Sequence, residues 1–150
     1  MLFTSKEARF YAKNQEIDTW AHAFLNSEGN NVHLSAIMKQ KGFWNGPAQQ
    51  PLSKMRRICG PEKGLKYHER EEVFHQKIEK MLDAIKKGWD VPPLIVWYDQ
   101  DKFSVADGNH RLEALKQSGH QSYWTIVWSK KDLKSPVHKI SNSTFGRSRA

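Results

Sequence analysis

The sequence predicts an α/β domain: a small mixed sheet with flanking helices. Three observations carry that expectation. Residues 94–98 (LIVWY) form an apolar run of strand length, and residues 102–106 (KFSVA) alternate like a half-buried strand. Asp99-Gln100-Asp101 between them supplies a hairpin turn. Residues 122–128 (SYWTIVW) are rich in aromatic and β-branched side chains, as a third strand should be.

The remaining elements follow in chain order. A helix is expected over 5–25, with Ser5 as its N-cap and Phe10, Ile17, Ala21, Phe24 and Leu25 on one face. Residues 27–31 (SEGNN) form a loop. A second, short helix over 32–41 ends at Gly42, and 43–47 (FWNGP) reads as a turn carrying two aromatics. Residues 48–67, punctuated by Pro51, Gly60, Pro61 and Gly64, read as a long irregular loop. The strongest helix spans 69–87. Phe74, Ile78, Met81, Leu82 and Ile85 repeat at helical spacing, and Lys86 and Lys87 complement the C-terminal dipole end. The order is then helix, strand, strand, helix, strand. If 102–106 and 122–128 are parallel, the connection between them is right-handed.

Composition excludes several classes. The chain has 150 residues, 38% hydrophobic and 11% aromatic, which is enough for one folded domain. No apolar run is long enough to span a bilayer, and MLFTSKEARFYAKN turns charged too early for a signal peptide. The single Cys59 forbids an intramolecular disulfide and suits a reducing compartment, so a cytoplasmic protein without membrane partners is expected. The net charge is +8. Residues 129–150 hold six Lys/Arg against Asp132 and so carry +5 of it, leaving +3 for residues 1–128. Residues 129–150 are therefore read as a loose basic tail, able to add nonspecific contacts to nucleic-acid phosphates.

The chemistry concentrates at Asp107-Gly108-Asn109-His110-Arg111, between the strand at 102–106 and a short helix ending at Ser118-Gly119. Free backbone N–H groups and the positive dipole end make a helix start of this kind an anion site. Arg111 supplies a fork that fits phosphate, and Gly108 permits close approach to the backbone. The alternative for Arg111 is a surface salt bridge, for instance to Glu113 or to a sheet-edge acid. His110 either meets a phosphate oxygen or transfers a proton, or it is a helix-capping or core histidine. Asp107 either holds Mg²⁺ or caps the helix start, and Asn109 either donates to phosphate or occupies a left-handed turn. Trp44, Trp89, Trp97, Tyr98 and Trp124 are either a base-stacking set or core.

The run PPLIVWYDQDKFSVADGNHRLEALKQSGHQSYWTIVW resembles the ParB/sulfiredoxin-like superfamily over about residues 70–128. The shared frame is P-x-I/L-V, a hairpin, then D-G-x-[HR]-R and a helix ending in Gly. WNGP at 44–47 and RICGPEKGLKY at 57–67 resemble an extension found in small ParB-like proteins. The sulfiredoxin loop reads G-C-H-R and its cysteine is the nucleophile. Asn109 stands there in this chain, which argues against sulfinic acid reduction, because an amide cannot replace a thiolate. The ParB loop is closer to G-E-R-R, binds CTP and is followed by a helix-turn-helix domain.

The loop of the free-serine kinase branch, D-G-H-H-R, differs from DGNHR at one position. That resemblance implies binding of ATP or another nucleoside triphosphate with Mg²⁺. The phosphate site would comprise Gly108, Asn109, His110 and Arg111, with phosphoryl transfer to an unknown small-molecule acceptor, or hydrolysis. Asp107, His110 and a glutamate before the long helix, of which Glu69 is chosen over Glu62, Glu71 and Glu72, would be catalytic, with Asp107 on the metal. The alternative is a DNA-associated or nuclease-like module that uses the basic tail.

Overall fold

The structure, a computed structural model, describes residues 1–133. Three helices open the chain: α1 (Ser5–Lys13), α2 (Ile17–Leu25) and α3 (Val32–Ile37). The expected helix over 5–25 is thus two helices, broken where Gln15 takes φ 59°. The break lets α1 and α2 fold against each other, with Trp20 Nε1 donating to Glu7 Oε1 at 2.9 Å. It also turns Phe10 outward, leaving it 64% exposed rather than on the core face. The cap of α1 is Thr4, whose hydroxyl accepts from Glu7 N. Ser5 is instead the first helical residue and is tied to Asp90. Helix α3 ends four residues short of the expected Lys41.

The segment read as turn and loop is largely sheet. Strand β1 (Phe43–Pro51) is followed by one turn of 3₁₀-helix, then β2 (Met55–Arg57), β3 (Cys59–Gly60) and β4 (Tyr67–His68). Pro47 and Pro51 mislead a local reading because they break a central strand. β1, however, is an edge strand paired only with the final strand, and it carries an irregularity between Asn45 and Ala48. Helix α4 (Glu71–Lys86), the hairpin β5 (Leu94–Asp99) and β6 (Lys102–Asp107), α5 (Asn109–Gln117) and β7 (Ser122–Ser129) follow as expected, within two residues.

The main sheet has the order β1-β7-β5-β6-β2. β5 pairs antiparallel with β6 and parallel with β7. The strands at 102–106 and 122–128 are therefore not neighbours: they flank β5, and the parallel crossover runs from β5 to β7. Alternate residues of the central strands serve two cores. Leu94, Val96 and Val127 pack with Leu112 and Leu115 of α5. Ile95, Ile126 and Trp128 pack with Trp20, Leu25 and Met38 beneath the N-terminal helices. Helix α4 lies on α5 through Phe74, Ile78 and Ala114.

The compact part does not stop at Trp128. β7 continues to Ser129, and Leu133, 5% exposed, belongs to the α5-side core. The rest of the basic tail lies outside the described residues. Among the described residues, no helix is long and apolar enough to cross a membrane.

Candidate functional site

Strand β6 ends at Asp107, and Gly108 turns the chain into α5 with φ 109°. Two constraints require glycine there. The backbone is left-handed, and a Cβ would lie 2.9 Å from both Arg111 Nη2 and Leu94 Cδ2. No side chain caps this helix start. Its first backbone bond runs from Leu112 N to Gly108 O at 2.8 Å, so the N–H groups of Asn109, His110 and Arg111 stand outside the helical ladder.

The loop side chains divide by direction. Asp107, Asn109 and Arg111 are each less than a tenth exposed. Arg111 Nη2 donates to Pro93 O at 2.9 Å, Nη1 lies 3.4 Å from Asp107 Oδ2, and the guanidinium sits 5.2 Å from the Phe24 ring centroid. Its salt-bridge partner is thus the acid that ends β6, Asp107, rather than Glu113, and the pair is buried rather than on the surface. In this arrangement Arg111 ties the loop to β5 and α2 with the fork directed into protein. Asp107 Oδ1 also accepts from Asn31 Nδ2 at 3.0 Å. Both Asp107 oxygens are thus engaged by protein donors, Asn31 and Arg111. Among the described residues no group of three or more His, Cys, Asp or Glu could hold a metal ion.

Asn109 is a latch. Its Oδ1 accepts from Ile58 N at 2.8 Å and Cys59 N at 3.3 Å, while Nδ2 donates to Val105 O at 3.1 Å. The amide thereby fixes the start of β3 against β6 and α5. It also brings Cys59, distant in sequence, beside Asn109. Burial, then the nearby Glu69 carboxylate, push the Cys59 thiol above its ordinary range, opposite to the shift an activated nucleophile needs.

His110 points the other way and meets Glu69. Its Nε2 is 2.6 Å from Glu69 Oε1, while Lys77 Nζ holds Oε2 at 2.5 Å. Burial alone would raise the Glu69 carboxyl, but the bonds from Lys77 and His110 outweigh it and hold the group below the usual range. Glu69 is therefore an acceptor, and His110 Nε2 donates to it. Phe74 packs on the imidazole with ring centroids 5.1 Å apart. Glu69 stands just before α4 and His110 in the first turn of α5, so their contact joins two helix N-termini. Of the residues expected to be catalytic, His110 and Glu69 come together, whereas Asp107 turns into the buried Arg111 pair.

Beside this junction opens a cleft of about 600 Å³. Arg57, His68, Arg70 and His75 line it with Phe74 and the carboxylates Glu62, Glu71 and Glu113. Arg57 is held by Glu113 at 3.1 Å and by Glu62, and lies 4.8 Å over the Phe74 ring. Arg70 is exposed and makes no ion pair or side-chain hydrogen bond among the described residues. Sequence reading assigned no role to Arg57, His68, Arg70 or His75. Arg57 lies in RICGPEKGLKY, the run that resembles a ParB-like extension, His68 and Arg70 follow it directly, and His75 stands one turn into α4. The aromatic set lies elsewhere. Tyr98 is core, Trp97 packs on Trp128 at 4.7 Å, Trp44 on His22 at 5.5 Å and Trp124 under Arg9 at 4.4 Å, and Trp89 packs against the α5-side core.

Residues 63–143 match the ParB N-terminal domain model. The chain belongs to the ParB N-terminal domain family. Similar solved structures include sulfiredoxin from Arabidopsis thaliana, 20% identical over 62% of this chain and 93% of that one, with a TM-score of 0.39. A Pnob8-like ParB-N domain is 13% identical over 72% of this chain and 38% of that one, with a TM-score of 0.42. A conserved hypothetical protein from Pyrococcus furiosus is 15% identical over 61% of this chain, with a TM-score of 0.40. The match spans about a third (34%) of that protein's length. No curated protein matches the chain.

Proposed function

We propose that this domain binds a nucleoside triphosphate in the cleft beside the N-termini of α4 and α5, and uses it for phosphoryl transfer or hydrolysis. One observation carries the reading: the His110–Glu69 contact joins two helix N-termini next to a cleft lined by Arg57, Arg70, His68 and His75 together with Glu62, Glu71 and Glu113. Two positive dipole ends, free N–H groups and the cations Arg57 and Arg70 are what a polyphosphate needs. Phosphoryl transfer depends mainly on positioning and charge neutralisation, and these groups supply both. A bound triphosphate supplies the phosphoryl group to be transferred.

The proton chemistry falls to His110. With Nε2 donating to Glu69, the neutral ring leaves Nδ1 as the acceptor for a proton from an acceptor hydroxyl or water. Glu69 holds the ring and balances the imidazolium that forms. In this reading the phosphates extend from the cleft past Phe74 and His110 to the N–H groups of residues 109–111, which stand outside its lining. The side chains of Asp107, Asn109 and Arg111 serve by building the loop.

Calorimetric titration with ATP, CTP, GTP and ADP, with and without Mg²⁺, tests the reading. Binding of a triphosphate is expected, retained when the chain is cut after Leu133 and weakened about tenfold by Arg70→Ala through loss of a charge-assisted contact. Absence of binding at millimolar nucleotide would sink it. Tail-dependent nucleic-acid binding with a steep salt slope would then favour the DNA-associated alternative.

A further inference from the structure

Arg57 holds three acceptors, and they are not equivalent. Nε meets Glu113 at 3.1 Å and Nη1 donates to Cys59 O at 3.0 Å; both partners belong to the packed fold. Nη2 meets Glu62, on the loop between β3 and β4, whose side chain is 53% exposed against 14% for Arg57. Phe74 fixes the guanidinium from one face. Gly60 makes room for the contact: a Cβ there would fall 2.0 Å from Arg57 Nη1 and 2.7 Å from Glu62 Oε1. Arg57 is thus rigidly aimed, and its one accessible edge is covered by a solvent-facing carboxylate. The Arg57 hydrogen bond holds Glu62 below the usual carboxylate range, so it is an anion at neutral pH.

We propose that Glu62 is an internal stand-in for the ligand: it covers Arg57 in the ligand-free protein and is displaced when a phosphoryl group takes that edge. The proposal rests on reading the cleft as a polyphosphate site. It also names a selectivity. Exchanging one singly charged carboxylate for another singly charged anion gains little, whereas a multiply charged phosphoryl group gains Coulomb energy on Arg57 and meets Arg70 as well. Carboxylates and halides are therefore rejected by competition from within the chain.

The test is calorimetric titration of the full chain with inorganic tripolyphosphate, with acetate as the singly charged control. Glu62→Gln should tighten tripolyphosphate binding about 5–10-fold, because one competing charge-assisted hydrogen bond is removed. The gain should vanish in an Arg57→Gln background, and acetate should bind weakly throughout. An NMR titration of wild type provides a readout independent of the Arg57 variant's folding: the Glu62 carboxyl should move back toward the ordinary glutamate range on saturation with tripolyphosphate. If wild type binds tripolyphosphate but Glu62→Gln binds it no more tightly, or the Glu62 titration does not move, the stand-in is overturned and the polyphosphate site survives. If neither protein binds tripolyphosphate or ATP, both fall together.

Discussion

His110 Nε2 lies 2.6 Å from Glu69 Oε1, joining residues 41 positions apart and locking the start of α5 to the start of α4. This contact unites a structural role with a chemical one. It holds the helix ends that flank the cleft, and it decides which imidazole nitrogen stays free.

Glu69→Gln tests both roles. The Glu69 carboxyl is held below its usual value of 4.5, so its stabilising contribution is complete above that value and is lost as pH falls through the lowered one. Wild type should therefore lose stability more steeply than Glu69→Gln between about pH 4.5 and pH 3. At neutral pH the variant should be less stable by about 1.5–3 kcal/mol, the scale of a hydrogen bond to a charged group. Chemical denaturation across this range reads both effects. Equal slopes in the two proteins would show that the carboxylate is not stabilised by its partners.

Arg111→Ala should act on the fold before it acts on any ligand. Removing the guanidinium leaves Asp107 buried with only Asn31 as donor, and frees Pro93 O. The loss should be about 3–5 kcal/mol, the range for breaking a buried ion pair. Thermal unfolding without ligand measures it, and a melting temperature close to wild type would contradict the inward role assigned to this side chain.

Cys59→Ser should leave nucleotide binding and any ATP-dependent turnover intact, with no sulfinic-reductase activity in either protein. The thiol is raised rather than activated, and the neighbouring Asn109 amide is engaged by Ile58, Cys59 and Val105. Loss of turnover in a folded Cys59→Ser protein would show that the thiol takes part in the chemistry.

Much of the second half of the fold was legible in the sequence. The period of Phe74, Ile78 and Ile85, the alternation in 102–106 and the apolar run at 94–98 are local patterns, and each gave an element within two residues of its observed ends. The first half resisted. Asn14-Gln15-Glu16 carries no strong breaker, yet the chain bends there because Ala8 and Trp20 must both be buried. β1 carries two prolines and looks like loop, and only pairing with β7 makes it a strand.

For the site, the sequence by itself marked the loop between strand and helix, with Gly108 and His110 in it, while the structure gave Gly108 its left-handed conformation and the α5 start its lack of a side-chain cap. Tertiary structure alone decided which side chains face outward. Arg111 looked like the phosphate fork, but packing turned it onto Asp107 and Pro93, because a buried carboxylate and a free carbonyl each demand a donor. Packing likewise selected Glu69 from the glutamates around α4 and gathered Arg57, His68, Arg70 and His75 around one cleft. Local spacing fixes backbone geometry through steric and hydrogen-bond rules that act within a few residues. The partner of a charged side chain is set by which distant segment the hydrophobic core brings beside it, and that is not written in the spacing of any single motif.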